Sequence, residues 1–259
     1  MIAVRNLSAG KRLAGKMLVK KLNMQVMGGE MLAVVGANGA GKTTLLRLLC
    51  SELEPEEGEI MLYGKPLGAY RPEELSRKRA VLSQHNTISL SFAVEELVLM
   101  GRYPHFARQP GRDDMLAVRN AMEETGITHL RGRAYNTLSG GEQQRVQLAR
   151  VLAQVSDVRG GCLFLDEPTV GLDLLHQQQT LALARKMADR GYCVVSILHD
   201  LNLAGRYADK VLVMKQGEAI AFGDPLDVLN CEVIHQAFNI QVKLMPCEDF
   251  RCPLVVPIS

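Results

Sequence analysis

At 259 residues and 47% hydrophobic side chains, the chain is long enough for one large domain, or a domain with a sizeable insert, and can fill a proper core. Its 30 basic and 28 acidic residues leave a formal charge of +2, which excludes a strong field as the means of holding nucleic acid or a membrane surface. No apolar run approaches the roughly 20 residues needed to cross a bilayer, and the opening MIAVRNLSAGKR lacks a signal-peptide pattern, so the expected location is cytoplasmic.

Residues 1–30 read as short strands with a turn at Ala9-Gly15, ending at the Gly28-Gly29 turn. Met31-Val35 is an unbroken apolar run, as in a parallel strand covered on both faces. Gly58-Tyr63 and Arg79-Ser83 are further strands, with Gln84 at the end of the second. From His85 to about Gly160 the period becomes helical, with helices at Phe92-Met100 and Asp113-Glu124, Gly126 stopping the latter, and a third running to about Val155. Strand spacing returns at Cys162-Leu165 and Cys193-Leu198 on either side of a helix over Leu174-Arg190. Alternation of this kind predicts a parallel α/β core. Val211-Lys215 and Glu218-Phe222 flank Gln216-Gly217 as a hairpin, followed by short helices through Phe238 and a Pro- and Cys-containing tail. The six cysteines form no C-x-x-C pair and read as reduced, mostly buried thiols.

The chemistry starts directly after Val35. Gly36-Ala37-Asn38-Gly39-Ala40-Gly41-Lys42-Thr43 fits G-x-x-x-x-G-K-[ST], in which backbone N–H groups at the positive end of a helix surround phosphate oxygens. Lys42 is placed to reach the β- and γ-phosphates and the Thr43 hydroxyl to bind Mg²⁺. Leu163-Asp166-Glu167 puts two carboxylates at the C-terminal end of a buried strand, where open α/β sheets bind ligands. Asp166 suits Mg²⁺ and Glu167 suits polarising an attacking water; alone, the pair could merely cap the turn before Pro168, but beside a phosphate loop the first reading is favoured. Leu138-Ser139-Gly140-Gly141-Glu142 precedes a helix. Ser139 as an N-cap followed by a glycine turn accounts for that stretch, and so does a second anion site at the helix start.

Taken together these stretches resemble the ABC ATPases. Gly36-Thr43 is similar to the Walker A motif, Gln84 to the Q-loop glutamine, Leu138-Glu142 to the ABC signature, Leu163-Glu167 to Walker B with its catalytic glutamate, Asp173 to the D-loop aspartate and His199 to the switch histidine. The resemblance implies a P-loop NTPase core with an antiparallel β subdomain over residues 1–84 and 161–259, and a helical insert over 85–160 that carries the signature. It implies an ATPase with Mg²⁺, catalytic Glu167, His199 and Gln84, and a metal held by Thr43, Gln84 and Asp166. Nucleotide contacts would come from residues 36–43 with Thr44, and from Ser139, Gly140, Gly141 and Asp173 across a homodimer. In the family an aromatic residue usually precedes the phosphate loop to stack on adenine; Leu7-Lys20 contains none, which leaves Arg12 to stack by its guanidinium plane.

Within the family, Phe92-His105 resembles ATPases of type II importers for iron-siderophore, haem and cobalamin, and Ser139-Gln154 and Leu172-Gln178 look closest to the hemin-import subset. That resemblance implies two transmembrane permease subunits as partners, a periplasmic or surface substrate-binding protein acting indirectly, and a peripheral place on the cytoplasmic face of the membrane. A soluble ABC ATPase of DNA maintenance would need a long coiled-coil insertion, and none is present.

Overall fold

The computed structural model describes residues 1–10, 17–83, 91–158, 160–247 and 252–258. Strands β1 (Ile2–Ala9) and β2 (Val19–Val26) lead to β3 (Met31–Val35), whose five residues are all buried. Leu32 and Val34 enter one core; Met31, Ala33 and Val35 enter another on the opposite face. A strand without polar side chains is stable only when covered on both sides, and β3 sits centrally for that reason.

Helix α1 (Lys42–Leu49) follows, then β4 (Glu57–Leu62), the short β5 (Lys65–Pro66), α2 (Pro72–Lys78) and β6 (Arg79–Leu82). Helices α3 (Val94–Met100), α4 (Arg112–Glu124) and α5 (Gly140–Val155) come next, and β7 (Cys162–Asp166), α6 (Leu174–Asp189), β8 (Cys193–Ile197) and α7 (Leu201–Tyr207) resume the alternation. β9 (Lys210–Lys215), β10 (Glu218–Gly223), α8 (Pro225–Val228), α9 (Cys231–Phe238), β11 (Gln241–Met245) and β12 (Leu254–Ile258) complete the chain.

The central sheet has the order β10-β9-β3-β8-β7-β6, parallel except for β10. β10 turns back because Gln216 and Gly217 both adopt positive φ, 49° and 87°, the backbone of a two-residue hairpin with native twist. An antiparallel sheet, β2-β1-β4-β5, lies across α1. Leu45, Leu46, Leu48 and Leu49 of α1 are buried between the two sheets, each contributing about 2 kcal/mol. That packing holds the helix firmly enough that its N-terminus needs no capping side chain.

Helices α3, α4 and α5 pack together beside β6. Arg102, buried after α3, ties them: Nε lies 2.9 Å from Asp114 of α4, Nη2 2.5 Å from Asp157 and Nη1 2.9 Å from the Ala153 carbonyl of α5. A buried cation survives only when its donors are met in this way. The tail departs from expectation, since 241–245 and 254–258 pair as an antiparallel ribbon on α9 and α7. Its residue-to-residue alternation is short and interrupted by Pro257, which hides the strand in the sequence.

Candidate functional site

The loop from β3 to α1 is shaped by close backbone approach. At Gly41, φ is +103° and a β-carbon would stand 2.3 Å from the Leu18 carbonyl oxygen; at Gly36 one would stand 2.3 Å from that of Met214. Any side chain at either position collides with main chain, so the glycines are demanded by the fold as well as by a ligand.

Gly41 is the N-cap of α1. No side chain caps this helix and its first turn contains no acidic residue. Its free N–H groups and positive dipole end face a cavity of about 210 Å³ lined by residues 38–44 with Leu18 and Glu167. Lys42 arches back over the loop, its Nζ donating to the carbonyls of Gly36 at 2.7 Å and Ala37 at 3.1 Å. Burial lowers the Lys42 pKa, opposed by the nearby charges of Glu167 and Asp166. An uncapped helix start with a desolvated ammonium beside it is a receptor for polyanionic phosphate.

Asp166 ends β7 and Glu167 follows it. Burial, reinforced by the Glu167 charge, pushes the Asp166 carboxyl up to about 6, and its Oδ1 has no hydrogen-bond partner. An orphaned carboxylate oxygen, close enough to act on Lys42 beside the Thr43 that lines the cavity, fits a hard divalent cation. Among the described residues no cluster of three His, Cys, Asp or Glu side chains makes a protein cage. The donor set therefore suits Mg²⁺, which keeps water and phosphate oxygens among its ligands.

Glu167 adopts a left-handed φ of +52°, an uncommon conformation for a side-chain-bearing residue. Its Oε1 lies 2.7 Å from Nε2 of His199, just beyond β8. The neighbouring strands β7 and β8 thus present an acid–base pair at the phosphate-facing edge of the sheet. The Glu167 side chain is 14% exposed and that of His199 42%, so the pair is open to an incoming water from the histidine side.

Ser139, Gly140 and Gly141 are not part of this cavity wall. They begin α5, where Ser139 Oγ accepts from the Glu142 N–H at 3.4 Å and Glu142 Oε2 accepts from the Ser139 N–H at 2.8 Å, a closed capping box. Asp173 caps α6, accepting from the His176 N–H at 2.9 Å, and stands beside the exposed Val170, Leu174 and Leu175. Gln84 and Arg12 lie outside the described residues. The sequence reading missed Leu18, whose carbonyl packs against Gly41 and Gly217 and whose residue lines the cavity. Only the paired glycines, far apart in sequence, hint at that contact.

The family described as ABC transporter matches residues 19–170. The hemin import ATP-binding protein HmuV of Gloeobacter violaceus is 48% identical over 253 residues, covering 96% of this chain and 92% of its own length. Among solved structures, an ABC transporter described as of metal-chelate type, in an inward-facing conformation, superposes with a TM-score of 0.85 at 28% identity over 100% of this chain and 97% of its own. A bacterial ABC transporter cassette solved as a dimer superposes at 0.75 with 25% identity, over 87% of this chain and 99% of its own. Strand order, phosphate loop and full-length similarity agree: the chain is an ATP-binding subunit, and an ATPase, of the ABC transporter family.

Proposed function

We propose that this ATPase drives import of hemin through a membrane permease, by closing and reopening a homodimer on ATP. The substrate reading is carried by the 48% identity, over nearly the whole of both chains, to a hemin import ATP-binding protein. Residues 36–44 hold the phosphates by backbone N–H groups, with Lys42 shifting from the Gly36 and Ala37 carbonyls to the β- and γ-oxygens. Thr43, Asp166 and Gln84 hold Mg²⁺, which neutralises charge on the phosphates when bound. Glu167 takes a proton from the attacking water, and His199, 2.7 Å away, orients that carboxylate and contacts the γ-phosphate.

The signature helix supplies the second half of the site. A β-carbon at Gly140 would meet nothing within 4 Å, and one at Gly141 only a Leu172 methyl at 3.6 Å. Nothing among the described residues requires glycine there, which supports a contact from outside the chain: the nucleotide held by a second copy. Asp173 and the exposed apolar residues around it lie at that dimer contact. The 85–160 segment, which Gln84 precedes in sequence, passes closure to two permease subunits at the cytoplasmic face, while a substrate-binding protein delivers cargo from the far side. No helix among the described residues is long and apolar enough to cross a membrane, so the pathway itself belongs to the permease.

The likeness to a metal-chelate type transporter favours a second reading, the same role for a ferric siderophore or cobalamin. The test is ATP-dependent uptake in lipid vesicles containing this subunit, its permease and loaded binding protein, with hemin, a ferric siderophore and cobalamin assayed in parallel. Uptake of hemin alone is expected; uptake of another compound overturns the substrate.

A further inference from the structure

The edge of the central sheet opposite the phosphates holds two thiols that nucleotide chemistry does not use. Cys162 opens β7 and Cys193 opens β8, and they are direct register partners in the parallel pairing of those strands. Both point into the core shared with the antiparallel sheet. Neighbouring strands lie roughly 4.8 Å apart, within the Cα separation of about 4.4–6.8 Å that a disulfide spans.

Tyr63 covers the pair. It occupies the β4–β5 turn with φ +50°, a position that turn chemistry assigns to Asn or Gly, so an aromatic residue there carries backbone strain. Its hydroxyl donates to the Gly160 carbonyl and lies 3.3 Å from Cys162 Sγ. The tyrosine is 38% exposed while both cysteines are fully buried, so its ring has water on one side and a thiol on the other. Swinging this ring outward breaks its contact with Cys162 and opens that thiol to small solutes.

The two thiols are also unequal. A hydrogen bond with Cys193 holds the Cys162 thiol below its ordinary pKa, opposed by burial, and the same bond raises Cys193. Cys50, buried in the same core without such partners, is pushed up to about 12. Of the two sulfurs, that of Cys162 lies against the half-exposed Tyr63, so an incoming oxidant reaches it first and Cys193 is left as the resolving thiol.

We propose that Cys162 and Cys193 form a peroxide-sensitive dithiol that closes reversibly to an intrachain disulfide and slows the ATPase by shifting the strands that carry its reactive side chains. The Cys162 thiolate attacks a peroxide oxygen, giving a sulfenic acid and, from hydrogen peroxide, water once the leaving hydroxide takes a proton. Cys193 then attacks the sulfenic sulfur and loses its thiol proton to the departing hydroxide. Two thiols and one hydrogen peroxide become one disulfide and two waters, and a dithiol reductant reverses the change. The Cα spacing already suits a disulfide, but its β-carbons must close to about 3.8 Å, so the starts of β7 and β8 are re-angled against each other. Glu167 and His199 sit at the other ends of these two strands, and the inhibition, though not the dithiol, rests on the function proposed for them.

The full-length protein, treated with hydrogen peroxide, alkylated after denaturation and digested without reduction, is expected to yield a linked peptide joining Cys162 to Cys193 that dithiothreitol removes. ATP hydrolysis in the same sample is expected to fall by about tenfold or more and to recover on reduction. Cys162→Ser is expected to abolish both effects. If both thiols remain alkylatable, or oxidation is confined to the more accessible Cys231 and Cys247, the dithiol is overturned. A linked peptide with unchanged hydrolysis overturns the switch. A reduced protein that never hydrolyses ATP counts against Glu167 and His199 as the catalytic pair, while the peptide map still decides the dithiol.

Discussion

Two helix starts in this chain are built in opposite ways. α1 begins at a left-handed glycine with no capping side chain and no acidic residue in its first turn, and α5 begins with Ser139 and Glu142 closed on one another. A side-chain cap is worth about 1 kcal/mol, against roughly 8 kcal/mol from the four buried leucines of α1, so α1 can leave its N–H groups to a ligand without losing the helix. α5 satisfies its own terminus and leaves Gly140 facing open space, with Gly141 against a Leu172 methyl. The first end stands open to a ligand within the chain; under the proposed function the second is met by the nucleotide held by a second copy.

The largest expected effect separates binding from chemistry. Glu167→Gln keeps the phosphate loop intact and is expected to bind ATP normally while hydrolysis falls about 10²- to 10⁴-fold, measured by phosphate release against nucleotide binding. Near-normal turnover would remove Glu167 from the water-polarising role.

Next comes a matched pair of glycine substitutions. Gly41→Ala forces a β-carbon onto the Leu18 carbonyl at a left-handed position, and the strain of about 1–3 kcal/mol is expected to weaken ATP binding by about tenfold or more in equilibrium titration. Gly140→Ala meets nothing among the described residues and is expected to leave melting temperature and ATP affinity of the isolated subunit unchanged while lowering hydrolysis. Equal loss of stability in both variants would dissolve the contrast between the two ends.

Base selectivity is a smaller effect. With no aromatic residue over Leu7-Lys20, GTP is expected to compete with ATP to within about tenfold, about 1.4 kcal/mol, in competition binding. A thousandfold preference for ATP would show that the base is held by contacts other than stacking on this segment.

The smallest is a stability change. Asp166 has a folded-state pKa of about 6 against an ordinary 3.8, so burial favours its protonated form. The stability this carries is fully present below 3.8 and is lost as pH rises through 6. In Mg²⁺-free buffer, Asp166→Asn is therefore expected to stabilise the protein by about 1 kcal/mol at alkaline pH, after allowing for solvent screening, with no gain under acid conditions. Denaturant melts at the two pH values check the sign.

Local features were legible in the sequence because a single stretch carried them. The five apolar residues of β3 announced a doubly covered strand, Gln216-Gly217 a hairpin, Gly36-Thr43 a glycine loop opening a helix, and Asp166-Glu167 a carboxylate pair at a strand end. The family resemblance is borne out as well. What stayed hidden depends on partners far apart in the chain: the Leu18 carbonyl against Gly41, the Arg102 tie between α4 and α5, and Tyr63 folded over Cys162. None has a period or a spacing. The 2.7 Å meeting of His199 with Glu167 required the β7–β8 pairing, which sequence order alone does not supply.

The central claim, that the α5 start is completed by a second copy across a shared nucleotide, is tested most directly by light scattering of Glu167→Gln with and without ATP, alone and combined with Gly140→Asp. Aspartate in the first turn suits the helix dipole, so the fold is kept while a negative charge is set against the incoming phosphate. The account predicts an ATP-dependent dimer for Glu167→Gln and a monomer for the double variant. An ATP-dependent dimer that forms equally well with Gly140→Asp would contradict it.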